Sequence, residues 1–99
     1  MDLFKRKGRR LMKTLKLIVH GKVQGVAYRY YTKTFADKVG IKGTVRNLSD
    51  GTVEVYASGS TDQIQTFLEC LYKGSPFSRV SHIESKEIDF IDHKDFDII

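Results

Sequence analysis

Gly21-Lys22-Val23-Gln24-Gly25-Val26 joins an alternating segment to one with helical spacing, and Arg29 follows in the first turn of that helix. Free backbone N–H groups and the positive end of the helix dipole converge at such a junction, which makes it a natural seat for a phosphate or another anion. Glycine lets the backbone curl around a ligand without a Cβ in the way, and a nest of this kind needs no charged side chain. The same loop also reads as a plain connecting turn. Arg29 adds a separate argument, because a cation in the first helical turn opposes the dipole at a cost of about 0.3 kcal/mol or more. A bound phosphate reverses that sign, since the guanidinium fork holds two oxygens while the loop amides hold the others. Asn47 shares the two-residue parity of Ile41 and Val45, so its carboxamide leans toward protein and needs a partner there. It reads either as a group that holds a reactant or as a cap on the Ser49-Asp50-Gly51 turn that follows.

Other reactive side chains carry less. His20, His82 and His93 lie far apart along the chain with no metal-ligand spacing, and are expected at the surface or a sheet edge. Cys70 falls off the apolar stripe of its helix and reads as an inert thiol. As the only cysteine it excludes an internal disulfide and a thiolate metal cluster, and it points to a reducing, cytoplasmic setting. Asp92, Asp95 and Asp97 read as charge decoration of an edge, which discourages sheet-to-sheet pairing.

The elements that must position these groups follow from periodicity. Leu15, Leu17 and Val19 share one face of an alternating segment over Thr14–His20, a first strand. Tyr28, Tyr31, Phe35, Ala36 and Val39 then recur at helical spacing up to a C-capping Gly40. Ile41–Leu48 and Thr52–Ser58 alternate around an Asp50-Gly51 hairpin signal. Ser60-Thr61-Asp62-Gln63 matches a capping box and opens a helix that ends at Gly74-Ser75-Pro76. Val80–Phe90 is a strand with its apolar residues out of strict phase, and Asp95–Ile99 alternates again. The order βαββαβ plus a terminal strand, with right-handed crossovers, predicts an α+β ferredoxin-like sandwich: one mainly antiparallel sheet with two helices on one face.

A chain of 99 residues, 40% of them hydrophobic, fits one domain. The net charge of +5 invites a nucleic-acid partner, but residues 1–12 hold five basic residues against Asp2, while residues 13–99 hold twelve basic against eleven acidic. Residues 1–13 read as a disordered basic arm and 14–99 as the domain, with Met12 an alternative natural start. No apolar run approaches the roughly 20 residues that span a bilayer, so neither membrane span nor signal peptide is expected.

Two stretches together resemble the acylphosphatase family. Gly21-Lys22-Val23-Gln24-Gly25-Val26-Ala27-Tyr28-Arg29 is similar to the signature G-x-V-Q-G-V-x-F-R, with Tyr28 where phenylalanine is usual. Gly43-Thr44-Val45-Arg46-Asn47-Leu48-Ser49-Asp50-Gly51-Thr52-Val53-Glu54 resembles G-x-V-x-N-x-x-D-G-x-V-E, and Gly74-Ser75-Pro76 also has a counterpart. Two long motifs at matching separation are far more specific than a lone glycine loop. The resemblance implies a phosphate-binding loop of Val23, Gln24, Gly25, Val26, Ala27 and Tyr28, with Arg29 as phosphate-binding catalytic arginine and Asn47 positioning water. It also implies hydrolysis of an acyl phosphate to carboxylate and inorganic phosphate by in-line attack of water.

Such a reaction needs no general acid, because a carboxylate leaves as a stable anion, and loop amides with Arg29 neutralise the phosphoryl oxygens. No cofactor and no metal are expected. The expected partner is a small acyl phosphate, with phosphate or sulfate as product or analogue, and the chain is expected to be a monomer. The alternatives are a ferredoxin-like module that binds phosphate without hydrolysing anything, or one that binds nucleic acid. Tyr56 alone on the polar face of the third strand disfavours the latter.

Overall fold

The computed structural model describes residues 11–99. Its elements run β1 (Met12–Lys22), α1 (Tyr28–Val39), β2 (Lys42–Asn47), β3 (Val53–Ser60), α2 (Thr61–Lys73), β4 (Arg79–Ile88) and β5 (Phe96–Ile98). The sheet order is β4-β1-β3-β2-β5, antiparallel except where β5 joins β2 in parallel. This is the ferredoxin-like sandwich, and every expected element is present. Helices of 12 and 13 residues cover one face. No helix among the described residues is long and apolar enough to cross a membrane.

The alternation in β1 decides the layers. Leu17 and Val19 are fully buried, as are Val53 and Val55 opposite them on β3, and this face receives the helices. Phe67 of α2 meets Phe96 of β5 edge to face, with ring centroids 6.0 Å apart. The Ser60 capping box forms as the spacing predicts: Ser60 Oγ accepts from Gln63 N, and Gln63 Oε1 from Ser60 N. That cap contributes about 1 kcal/mol.

Two departures from the sequence reading have physical causes. The strand starts at Met12, so Met12 and Lys13 belong to β1 and not to the arm. The reason is that β3 continues through Gly59 and Ser60 directly into α2, and its edge offers pairing partners to Lys13 and Met12. Residues 1–10 of the arm lie outside the described residues, and Leu11 is exposed ahead of the strand. The loss of phase in β4 comes from a bulge: His20 pairs with His82 but Gly21 with Val80, so Ser81 is extra and side-chain parity flips across it. Val80 and Ile83 therefore both pack on the core despite their spacing.

Because β4 and β5 occupy opposite edges, the chain between them must cross the helix-free face. Ile91 N donates to Thr14 Oγ1, Ser58 Oγ bonds Ile91 O, and His93 Nδ1 lies 3.1 Å from Ser58 Oγ. This strap occupies part of the surface on which a base-stacking platform would have to form.

Candidate active site

β1 reaches the site opposite the β4 bulge, where Gly21 has φ 128° and a Cβ would fall 2.0 Å from Arg79 O. Only glycine passes there. Val23 is then buried, and the chain turns through Gly25 (φ 73°) and Ala27 (φ 61°) before α1 begins. A left-handed alanine costs about 1 kcal/mol, and strain of this kind persists only where surrounding structure enforces it.

Four hydrogen bonds to neighbouring elements supply that enforcement. The Gln24 carboxamide donates to Leu48 O and Thr52 O, both at 2.8 Å, and so ties the loop to the β2–β3 turn. Ser75 Oγ donates to Val26 O at 2.6 Å. Tyr28 Oη donates to Leu71 O at 2.8 Å, joining the first residue of α1 to the last turn of α2. With its carbonyl and side chains engaged outward, the loop leaves its amides unused. Among the described residues, no backbone N–H of Gln24, Gly25, Val26 or Ala27 donates to a main-chain carbonyl.

The start of α1 differs from that of α2 in the way an anion site requires. Ala27 is its N-cap with no side-chain cap, and no acidic residue lies in its first turn, so orphan N–H groups and the dipole face outward uncompensated. Arg29 stands in that turn, half-buried, and forms no salt bridge among the described residues. A cavity of about 210 Å³ opens here, lined by Gly25, Ala27, Arg29, Tyr30 and Ile98 among others.

Asn47 is not part of that lining. It ends β2 beside Leu48, whose carbonyl Gln24 holds, so the loop and Asn47 are linked across one peptide unit. Its Oδ1 is buried with no hydrogen-bond partner among the described residues. The turn cap that competed for Asn47 is made by Asp50, whose Oδ1 accepts from Thr52 N at 3.0 Å and Thr52 Oγ1 at 2.6 Å. These bonds, the hydroxyl's first, hold the Asp50 carboxyl below the usual range.

The structure thus brings Arg29, Val23, Gly25, Ala27 and Tyr28 to one cavity, while Gln24 and Val26 are outside its lining and the loop is tied to Leu48, the residue after Asn47. Residue patterns missed Ile98, because nothing local tells a terminal strand which edge it joins. They also missed the work of Ser75 and of the Tyr28 hydroxyl, although Gly74-Ser75-Pro76 was visible as a motif. Gly74 has φ 67°, and a Cβ there would lie 2.3 Å from Ser78 Oγ and 3.3 Å from the Tyr28 ring. Burial, aided by Tyr72, pushes the Tyr28 phenol well above the ordinary tyrosine range, so it stays a donor. His20 and His82, remote in sequence, are brought together by the β1–β4 register, while His93 goes to the strap.

The acylphosphatase family profile matches residues 15–98. An acylphosphatase of Bacillus licheniformis is 47% identical over 77 residues, which cover 75% of this chain and 86% of the relative. One from Ligilactobacillus salivarius is 44% identical over 88% of this chain and 98% of its own length. The crystal structure of acylphosphatase from Bacillus subtilis superposes with a TM-score of 0.85 at 39% identity, covering 90% of this chain and 99% of that one. With the profile spanning nearly all of β1 through β5, the chain belongs to the acylphosphatase family.

Proposed function

We propose that the chain hydrolyses the carboxyl–phosphate bond of small acyl phosphates, with Arg29 and the Val23–Tyr28 loop binding the phosphoryl group and Asn47 orienting the attacking water. The observation that carries this reading is the uncapped start of α1: free loop amides, a left-handed Ala27 and Arg29 around one cavity. In phosphoryl transfer the protein mainly positions groups and stabilises charge on the equatorial oxygens. Loop amides and the α1 dipole take some of these oxygens, and the Arg29 fork takes others.

Asn47 supports the second half of the reading. A buried acceptor without a protein partner is costly unless something donates to it. A water that donates to Asn47 Oδ1 is thereby oriented, with a lone pair free to attack phosphorus in line with the leaving oxygen. The leaving carboxylate is stable as an anion, and the substrate's own phosphate oxygens take the proton from water. The products are a carboxylate and inorganic phosphate. Tyr30 and Ile98 at the cavity rim supply the wall along which the acyl group lies.

The test is phosphate release from acetyl phosphate and benzoyl phosphate with a chelator present. Turnover is expected for the wild type and a loss of about 100-fold or more for Arg29→Ala, the scale of removing one transition-state donor. Near-normal turnover by Arg29→Ala, with circular dichroism unchanged, removes that residue from the site.

A further inference from the structure

Outside the cradle, a group of potential ligands among the described residues lies on the helix-free face where β1 pairs with β4. His20 and His82 are register partners, and their rings stack with centroids 4.2 Å apart at an interplanar angle of 8°. Glu84 follows His82 by two residues on the same face of β4, and its carboxylate bonds His20 Nε2. One ligand atom from each of the three residues lies within 4.8 Å of the other two.

We propose that His20, His82 and Glu84 form a surface site for a divalent transition cation, with zinc the representative ion. Two imidazole nitrogens and one carboxylate oxygen are a borderline donor set, suited to zinc with water in the fourth position and unlike the all-oxygen shells of magnesium and calcium. Zinc–nitrogen bonds of about 2.0 Å put tetrahedral ligands about 3.3 Å apart. Side-chain rotations of His82 and Glu84, both exposed, close the present gaps. Each imidazole binds the cation through a nitrogen lone pair, and any proton on that nitrogen passes to solvent. The site joins β1 to β4 beside the bulge, so an ion there cross-links the two strands where their register shifts.

The test titrates zinc chloride into the full-length chain in a non-coordinating buffer, followed by calorimetry and by NMR of the imidazole protons. One zinc per chain is expected, with the His20 and His82 ring signals moving together, His93 unmoved and magnesium without effect. His82→Ala and Glu84→Gln each weaken binding by about tenfold or more, and zinc raises the melting temperature of the wild type more than that of either variant. No binding, equal affinity in wild type and both variants, or a zinc response lost only in Cys70→Ser or centred on His93, each overturns the proposal.

Discussion

The Tyr28 hydroxyl is the one polar atom this chain adds to an otherwise apolar ring position of its signature loop, and it satisfies Leu71 O in the last turn of α2. Tyr28→Phe leaves that buried carbonyl unpaired, and a loss of about 1 kcal/mol is expected in urea unfolding, with turnover retained. The same residue sets an alkaline limit. Burial raises its folded pKa above the 10.0 of an ordinary tyrosine, so above that pH the unfolded chain has released a proton that the native state keeps. Stability therefore falls as pH rises from the unfolded toward the folded value, by up to about 1.4 kcal/mol per pH unit. Urea midpoints measured on either side of that value in wild type and Tyr28→Phe check this; equal slopes refute it. Asn47→Ala removes the buried acceptor, and a fall in kcat of about 100-fold with little change in KM is expected from a group that acts on water and not on substrate. A rise in KM alone would assign Asn47 to ground-state binding instead.

At the scale of elements, the loop is held by its neighbours rather than by its own turn chemistry. Gln24 reaches the β2–β3 turn and Ser75 reaches Val26 O, so the cradle shape belongs jointly to three loops. Gln24→Ala severs the only side-chain hydrogen bonds, among the described residues, between the cradle and the β2–β3 turn that follows Asn47. We expect kcat/KM to drop by about tenfold or more while melting changes little, because displacing reacting groups by a fraction of an ångström is costly even where contacts are few. Steady-state kinetics beside a thermal melt separates the two effects; a variant with wild-type kinetics shows that Gln24 does not position the site. Of these elements, α2 was the most legible, through its Ser60–Gln63 box and apolar stripe. β4 was the least, because a bulge at Ser81 breaks the two-residue period from which strands are read.

Across the whole molecule, β5 closes the sheet on the side away from β4 and brings Ile98 to the cavity. Phe96 is its anchor, buried against Phe67. Phe96→Ala should cost about 3–5 kcal/mol, the range for a fully buried phenylalanine. By loosening the rim it should also raise KM for acyl phosphates in the folded fraction, measured by unfolding curves beside kinetics at a temperature where the variant is folded. What the amino-acid order determined by itself was local and periodic: helices from their stripes, the hairpin from Asp50-Gly51, the uncapped loop with its misplaced cation Arg29, and the parity that turns Asn47 inward. Those properties depend on residues within a few positions of one another, where backbone geometry alone links sequence to shape. The tertiary structure alone decided which groups meet across the sheet: Gln24 with the turn beyond Asn47, Ser75 with Val26, Ile98 with Arg29, and His20 with His82. Such meetings are set by strand register and edge order, which arise from burying the whole core at once and leave no mark in any single segment.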